Sequence, residues 1–279
     1  DTLNPVQSAR AFSLMVLVMG VAPILAPSLG ALILKVADWH GIFWFLASFG
    51  VLNLLLTKCF LKETLKPENR NTHPMSESFG QYFGLMKDHT FMLPAVASGL
   101  LQGAFFIYLS ISSELFMVNY QLTEHQFAIA FGVNAFGFIA LTQVNQFLTK
   151  RFHLVNLLRT GAVIQLAAAG VLLILGLIFG GKASFYWVFA SLFICIAGLG
   201  LTQPNATAIA LAFQKKRAGL ASALQGALQF SVGIFGGLLI GLFELDPVTR
   251  LGITTSILVV VGTFLVFYIN PKLDLSRLD

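Results

Sequence analysis

The feature that most constrains this chain is the length of its apolar runs. Hydrophobic residues make up 57% of the 279 residues and charged residues only 10%, whereas soluble domains carry about 25% charged residues. A helix of about 20 apolar residues crosses the ~30 Å hydrocarbon core, because it pairs all of its backbone polar groups internally. The mean hydropathy of +0.82 agrees with this class. The sequence therefore predicts an all-α integral membrane protein.

Polar and turn-forming residues divide the chain into eight predicted transmembrane helices. They cover Ala11–Val36, Gly41–Leu61, Phe91–Met117, Glu124–Leu148, Val155–Phe179, Ser184–Phe213, Gly219–Phe243 and Val248–Ile269. The longest polar stretch separates the first two helices from the last six. We therefore predict three parts, namely residues 1–61, a central cytoplasmic loop over 62–88, and a six-helix bundle with a short tail over 89–279. Part of the loop is expected to form a short surface helix with Phe79, Tyr82 and Phe83 on one face.

The positive charges predict the orientation of these helices. All but three of the 17 Lys and Arg residues fall in alternate connections, and the exceptions are Lys35, Lys182 and Arg250. Short loops rich in Lys and Arg stay on the cytoplasmic side. We therefore expect a multi-pass protein of the inner (cytoplasmic) membrane with both ends of this chain in the cytoplasm.

Several other classes of protein are disfavoured by the same sequence. The net charge of +5 comes from cations between apolar spans, whereas a nucleic-acid interface needs a clustered, solvated patch. Cys59 and Cys195 are far apart and fit packing positions better than a disulfide or a metal site. No catalytic cluster, metal-ligand group or Gly-rich phosphate loop is recognisable. We expect no nucleic-acid partner, no metal, no cofactor and no enzyme activity.

Motifs in both parts of the chain resemble one family. The first part contains Ala26-Pro27-Ser28-Leu29-Gly30-Ala31, Trp39-His-Gly-Ile-Phe43-Trp44 and Glu63-Thr64-Leu65. The second part contains Phe131-Gly-Val-Asn134, Gly200-Leu-Thr-Gln-Pro204-Asn205 and Ala218-Gly219-Leu-Ala-Ser222-Ala-Leu-Gln225-Gly226. In this order the motifs resemble helices five to twelve of the Bcr/CflA (bicyclomycin/chloramphenicol resistance) branch of the major facilitator superfamily.

The resemblance implies a partial major facilitator fold. Residues 1–61 would be the last two helices of the N-terminal bundle, and residues 89–279 would hold the complete C-terminal bundle. Helices one to four would be missing, and those N-terminal helices would be a partner that the chain needs. We therefore expect that a product of this length is inactive alone.

The resemblance also implies an activity. It would be a secondary active multidrug efflux antiporter, which exports small lipophilic or amphipathic drugs in exchange for protons by alternating access and contributes to antibiotic resistance. Its partners would be the small-molecule substrate, protons and the lipid bilayer. Two alternatives stay open: an importer or exporter of a non-drug metabolite in the same superfamily and, more distantly, a non-transport membrane enzyme or assembly protein.

Pro23, Pro27 and Gly30 form the candidate gating motif. The two prolines are four residues apart, so they share a helix face and free two backbone carbonyls. The resemblance implies a bent helix at the interface between the two bundles. The alternative is an ordinary kinked membrane helix, since prolines are common in such helices.

Polar and aromatic side chains inside the spans are the candidate substrate-binding residues. They are Gln102, Phe106, Tyr108, Asn134, Asn205, Gln225 and Gln229. A polar group buried in a membrane without a partner is costly, so each amide is expected to bind substrate or a neighbouring helix. Both roles stay open for the amides, and the aromatic residues could equally pack against lipid or core.

No charged residue or histidine falls at the middle of a predicted span, so the proton-coupling residue is unknown from the sequence. Glu114 is a weak candidate, because it stands near the outer end of a span. The alternative is a solvated carboxylate at the outer mouth. The Ser112-Ser113-Glu114 sequence also departs from the Ser-Pro-Phe that the family usually has there, which puts that helix's bend in doubt.

Overall fold

The computed structural model describes residues 26, 29–30, 32–60, 75–212, 214 and 217–269. The chain divides into two compact units, residues 1–74 and 75–279. The described residues contain helices and no β-strand. Seven of these helices are long and apolar enough to span a membrane, which confirms an all-α membrane architecture. The predicted helix Ala11–Val36 lies largely outside the described residues, so the expected number of eight stays a prediction.

In the first unit, the described membrane helix is α1, Trp39–Phe60. Asp38 precedes it, and its carboxylate accepts a hydrogen bond from the backbone N–H of His40 (3.1 Å). No residue of α1 is buried. Such a helix is apolar all round, which suits contact with lipid or with other apolar helices.

The second unit contains seven helices within its described residues. They are α2 (Met75–Met86), α3 (His89–Ser113, continued by a π-helix over Glu114–Asn119), α4 (Glu124–Leu148), α5 (Leu154–Phe179), α6 (Phe185–Ala212), α7 (Ala218–Gly241) and α8 (Pro247–Tyr268). Helix α2 lies within the stretch 62–88, where a short surface helix was predicted inside the central loop. Helices α3 to α8 match the last six predicted spans to within a few residues.

Polar side chains fix where several helices begin. Asp88 accepts hydrogen bonds from the N–H and the hydroxyl of Thr90 at the start of α3 (3.0 and 2.6 Å). Thr123 and Gln126 form a reciprocal capping box on α4. Asp246 accepts from the backbone N–H groups at the start of α8. Each cap satisfies N–H groups that the helix itself leaves unpaired.

The carboxylate of Asp88 also reaches the connection between α6 and α7, where it accepts a hydrogen bond from Gln214 Nε2 (2.7 Å). Partial burial acts to raise the pKa of Asp88, but the hydrogen bonds from Thr90, Gln214 and Phe91 outweigh it and lower the pKa. This stabilisation is therefore complete above the ordinary pKa and is lost as the pH falls through the lowered value.

Helices α3 and α6 form the centre of the second unit. Helix α3 packs against α6, α7 and α8, while α6 packs against α3, α4 and α5, and α5 also packs along α8. The large buried side chains lie mostly on or against α3 and α6, among them Leu101, Ile107, Leu192 and Ile196. The position of a side chain on either of these helices therefore decides which neighbour it meets.

Gly200 allows α6 to approach α4 closely. A Cβ atom at this position would lie 2.6 Å from the backbone nitrogen of Thr142 and 2.8 Å from the carbonyl oxygen of Phe138. Both atoms belong to the backbone of α4, so they cannot move aside as a side chain could. Small residues at such crossings let membrane helices pack by van der Waals contact.

We predict that Gly200→Ala lowers the melting temperature of the purified chain in detergent. The added methyl forces α4 and α6 apart, and overpacking of this kind costs about 1–3 kcal/mol. Gly170→Ala on α5 is the matched control, because no atom lies within 4 Å of its Cβ position. That variant should melt at or slightly above the wild-type temperature. Equal melting temperatures for the two variants would contradict this packing account.

Candidate functional site

Helix α6 directs polar side chains toward four of its neighbours from one short segment, Thr202-Gln203-Pro204-Asn205. Successive residues of a helix point about 100° apart, so adjacent side chains reach different neighbours. Pro204 adds to the local polarity, because a proline inside a helix cannot pair the carbonyl four residues earlier, here that of Gly200. This segment is the centre of the candidate site.

Gln203 joins α6 to α3 and α7. Its Oε1 accepts hydrogen bonds from Ser98 Oγ on α3 (3.0 Å) and from Gln229 Nε2 on α7 (2.9 Å). Its Nε2 donates to the carbonyl oxygen of Ser98 (3.0 Å), and Gln229 Nε2 also donates to Ser98 Oγ (3.0 Å). The three residues form a closed network, which we call the Ser98–Gln203–Gln229 cluster.

Two more amides flank this cluster one helical turn away. Gln225 Nε2 donates to Thr207 Oγ1 on α6 (3.4 Å), and Gln102 lies four residues after Ser98 on α3. The Oε1 atoms of Gln102 and Gln225 are buried and have no hydrogen-bond partner among the described residues. An unpaired buried acceptor costs about 1–3 kcal/mol, so a ligand that donates a hydrogen bond there would recover this energy.

Asn205 and Gln165 extend the polar contacts of α6 to α4 and α5. Asn205 Nδ2 donates to Asn145 Oδ1 (2.7 Å) and to the carbonyl oxygen of Leu201 (2.7 Å). Thr202 Oγ1 donates to Gln165 Oε1 (3.1 Å). These side chains are buried, and they fasten neighbouring helices to α6.

Tyr108 and Asn134 form a second polar contact, between α3 and α4. Asn134 Nδ2 donates to the Tyr108 hydroxyl (3.1 Å), and the Tyr108 ring stacks on Phe131 with centroids 5.6 Å apart. Asn134 is 1% exposed, and its Oδ1 has no partner in the described part of the chain. Tyr108 lies ten residues after Ser98, about 15 Å further along α3. The candidate residues therefore occupy two levels of the bundle.

The structure brings some of the predicted residues together and separates others. Gln229 belongs to the Ser98–Gln203–Gln229 cluster, with Gln225 one turn to one side of it and Gln102 one turn to the other, whereas Tyr108 and Asn134 form the second level. Asn205 pairs with α4. Phe106 packs on α7, where the ring centroids of Phe106 and Phe230 are 5.6 Å apart. A Cβ atom added at Gly233 would lie only 3.0 Å from the Phe106 ring.

Ser98, Gln203 and Asn145 were missed as candidates. Gln203 stands beside Pro204 and Asn205 in a motif that had been recognised, so its position in that motif was an available signal. The sequence offers no comparable signal for Ser98, because small hydroxyl residues in membrane helices often bond only to their own backbone.

Glu114 forms an ion pair with Arg250 at the start of α8. Glu114 is the first residue of the π-helix, and its side chain is 45% exposed, whereas that of Arg250 is only 17% exposed. The pair therefore ties the end of α3 to α8. The π-helix begins at Glu114, the last residue of the Ser112-Ser113-Glu114 sequence that departs from the family's usual Ser-Pro-Phe.

Beyond the π-helix, Tyr120 donates its hydroxyl to the carbonyl oxygen of Ala183 (2.9 Å). Partial burial and the negative charge of Asp246 raise the pKa of Tyr120 to about 12. The phenol therefore stays protonated and keeps this hydrogen bond at physiological pH. It fastens the connection after α3 to the connection before α6.

The candidate gating motif is described only in part. Gly30 is helical, and a Cβ at this position would meet no atom within 4 Å. Pro23 and Pro27 lie outside the described residues. Among the residues that the structure does describe, no group of three or more His, Cys, Asp or Glu side chains could hold a metal ion.

Comparison with known proteins agrees with this architecture. The family model of the Major Facilitator Superfamily matches residues 1–238. An uncharacterized MFS-type transporter of Bacillus subtilis, YdgK, is 32% identical over 98% of this chain and 67% of its own length. A bicyclomycin resistance protein homolog of Haemophilus influenzae is 25% identical over 99% of this chain and 69% of its own length. The multidrug resistance protein MdtL of Shewanella oneidensis is 25% identical, with coverage of 98% and 67%.

The bundle of apolar helices and these matches define a multi-pass membrane transporter. The chain belongs to the Major Facilitator Superfamily. The membership indicates a protein that moves a small molecule across a bilayer, and it indicates a transporter instead of the membrane enzyme that was the more distant alternative.

We predict that Glu114→Gln and Arg250→Gln each lower the melting temperature of the purified chain. Glu114→Gln leaves the mostly buried guanidinium unpaired, and each single change should cost about 1–3 kcal/mol, reduced by the exposure of Glu114. The double variant should lose clearly less than the sum of the two single losses. Additive losses would show that the two side chains do not interact, and would contradict the assigned ion pair.

Proposed function

We propose that this protein exports small lipophilic or amphipathic compounds in exchange for protons, in the manner of the Bcr/CflA branch. The observation that supports this most is the Ser98–Gln203–Gln229 cluster with the unpaired amide oxygens of Gln102 and Gln225 beside it. The names of two relatives, a bicyclomycin resistance homolog and a multidrug resistance protein, support the same class of substrate.

The chemistry of the cluster suits an uncharged or weakly polar substrate. The side chains that meet there are amides and a hydroxyl, which can donate or accept hydrogen bonds but carry no charge. Transporter substrates bind near the middle of the membrane, and Ser98 lies nine residues, or about 14 Å, from the start of α3. A substrate that bonds to these amides would compensate for burying them in an apolar bundle.

Substrate binding at this cluster would change how three helices are joined. Gln229 Nε2 on α7 makes hydrogen bonds to both Ser98 and Gln203. A substrate that takes one of these bonds loosens α7 from α3 and α6 and costs little overall, because one hydrogen bond replaces another. Such an exchange gives the substrate different interaction energies in two arrangements of the helices, as alternating access requires.

The remaining predictions complete this proposal. Pro23, Pro27 and Gly30 would shape the gate, residues 1–61 and 89–279 would belong to the two bundles, and 62–88 would connect them. The pairing of Glu114 with Arg250 argues for a fastening role, so the proposal assigns no proton-coupling residue within the described part of the chain.

We further propose that the C-terminal ends of α4, α6 and α8 face the cytoplasm. In the second unit, Lys87, Lys150 and Arg159 lie at that membrane surface, which fits the positive-inside rule. The ends of the chain would then be cytoplasmic in the inner membrane. In a protein without Cys59 and Cys195, Lys150→Cys should react with a membrane-impermeant thiol reagent in inverted vesicles and not in intact cells. Labelling in intact cells would contradict this orientation.

The activity is testable by drug accumulation in cells that express the protein from its complete coding sequence. Expression should lower the accumulation of ethidium or chloramphenicol, and a protonophore should abolish the difference. Gln229→Leu should raise accumulation toward that of non-expressing cells, because it removes the donor that joins α7 to the cluster. Gln143→Leu, at an exposed position of α4, is the matched control and should behave as wild type.

If neither expression nor the protonophore changed the accumulation of ethidium or chloramphenicol, the result would contradict drug export. Accumulation that rises with expression would instead favour import, which is the alternative function within the same family. If Gln229→Leu and Gln143→Leu behaved alike while export was retained, the substrate would bind away from the Ser98–Gln203–Gln229 cluster.

A further inference from the structure

Three cations in the second unit lie over exposed phenylalanine rings. Lys87 Nζ is 5.1 Å from the ring centroid of Phe83, Lys150 Nζ is 5.7 Å from that of Phe147, and the Arg159 guanidinium is 5.3 Å from that of Phe267. These distances fall within the ~6 Å range of a cation–π contact. The three rings are 63%, 68% and 52% exposed, respectively.

All three pairs lie at the same end of the bundle. Phe83 lies near the end of α2 and Lys87 lies between α2 and α3. Phe147 and Lys150 are at the end of α4, and Arg159 near the start of α5 meets Phe267 at the end of α8. Because successive membrane helices alternate in direction, these positions share one membrane surface. We call this surface the basic end and the opposite surface the acidic end.

The two ends differ in charge among the described residues of the second unit. At the basic end, the cations outnumber the acids: Lys87, Lys150, Arg151, Arg159 and Arg217 stand against Glu77 and Asp88. The acidic end has the reverse balance, with Lys182 and Arg250 against Glu114, Glu124, Glu244 and Asp246. The cations at the basic end therefore create a surface that attracts anions.

Two of the pairs are held at fixed positions by the bundle. Leu85 of α2 is fully buried with Phe91 of α3 and Ala221 of α7, which fixes the helix that bears Phe83. Arg159 Nη2 donates to the carbonyl oxygens of Phe267 (3.2 Å) and Ile269 (2.9 Å), which caps the end of α8. These cations are therefore placed by the fold at the level where the helices leave the membrane.

We propose that the basic end binds the headgroups of anionic phospholipids at these three cation–phenylalanine pairs. The exposed ring packs among the upper parts of the acyl chains, while the cation above it reaches the phosphate layer. When one of the three N–H groups of a Lys ammonium faces a ring, the other two stay available to donate to phosphate oxygens. The partner is a membrane lipid, because the rings need an apolar phase that a soluble anion does not offer.

The test uses the purified 279-residue chain in detergent with equal amounts of phosphatidylglycerol and phosphatidylcholine, and native mass spectrometry counts the lipids retained per chain. Wild type should retain phosphatidylglycerol preferentially. Lys87→Gln/Lys150→Gln should weaken this preference by about fivefold or more, since a cation near an anionic surface contributes about 1 kcal/mol. Raising the salt concentration should reduce the preference of wild type toward that of the variant.

Lys182→Gln is the matched control, because it removes one cation from the acidic end. It should retain phosphatidylglycerol as wild type does. Phe83→Leu/Phe147→Leu keeps both cations and removes both rings, and it should weaken retention without abolishing it. Equal retention of the two lipids by wild type, or an equal loss in Lys182→Gln and Lys87→Gln/Lys150→Gln, would overturn the proposal. Each variant's melting temperature distinguishes lost lipid binding from unfolding.

Discussion

The structure depends on the need of every polar group in an apolar bundle to find a partner. Water is absent from the hydrocarbon core, so an amide there bonds to another helix, to a ligand, or to nothing at a cost of about 1–3 kcal/mol. Helix α6 supplies such partners to its neighbours. Thr202 bonds to α5, Gln203 bonds to α3 and α7, and Asn205 bonds to α4. A single segment thus organises the second unit and its candidate binding site.

Close helix packing complements these hydrogen bonds. Gly200 brings the backbones of α6 and α4 together next to the polar segment, and Gly252 does the same between α8 and α5, where a Cβ would lie 2.8 Å from the carbonyl oxygen of Leu172. Short distances between helices hold the amides within bonding range. Helix α7 also packs closely on α3, where a Cβ at Gly99 would lie 3.2 Å from the carbonyl oxygen of Leu228. Its hydrogen bonds to the cluster are made by Gln229, and these are bonds that a substrate can replace.

The sequence predicted the class and the helices well, because hydropathy and turn residues act locally: α4 begins and ends at the predicted Glu124 and Leu148. The amides were predictable as residues that needed partners, but their partners were not. Whether Gln229 meets Gln203 or faces a neighbour elsewhere depends on the rotation of α7 about its axis, which is set by packing over the whole helix. The pairing of Glu114 with Arg250 likewise joins residues that are 136 positions apart, a distance over which no local pattern acts.

The central claim is that the polar level around Gln203 on α6 binds the transported compound. Thr207→Cys, in a protein without Cys59 and Cys195, places a thiol one turn from Gln203 with little change in size. Chloramphenicol should slow the reaction of this thiol with a membrane-permeant maleimide, and it should leave a thiol at Lys150→Cys unaffected. Equal labelling rates at position 207 with and without the compound, in protein that still exports it, would contradict the account.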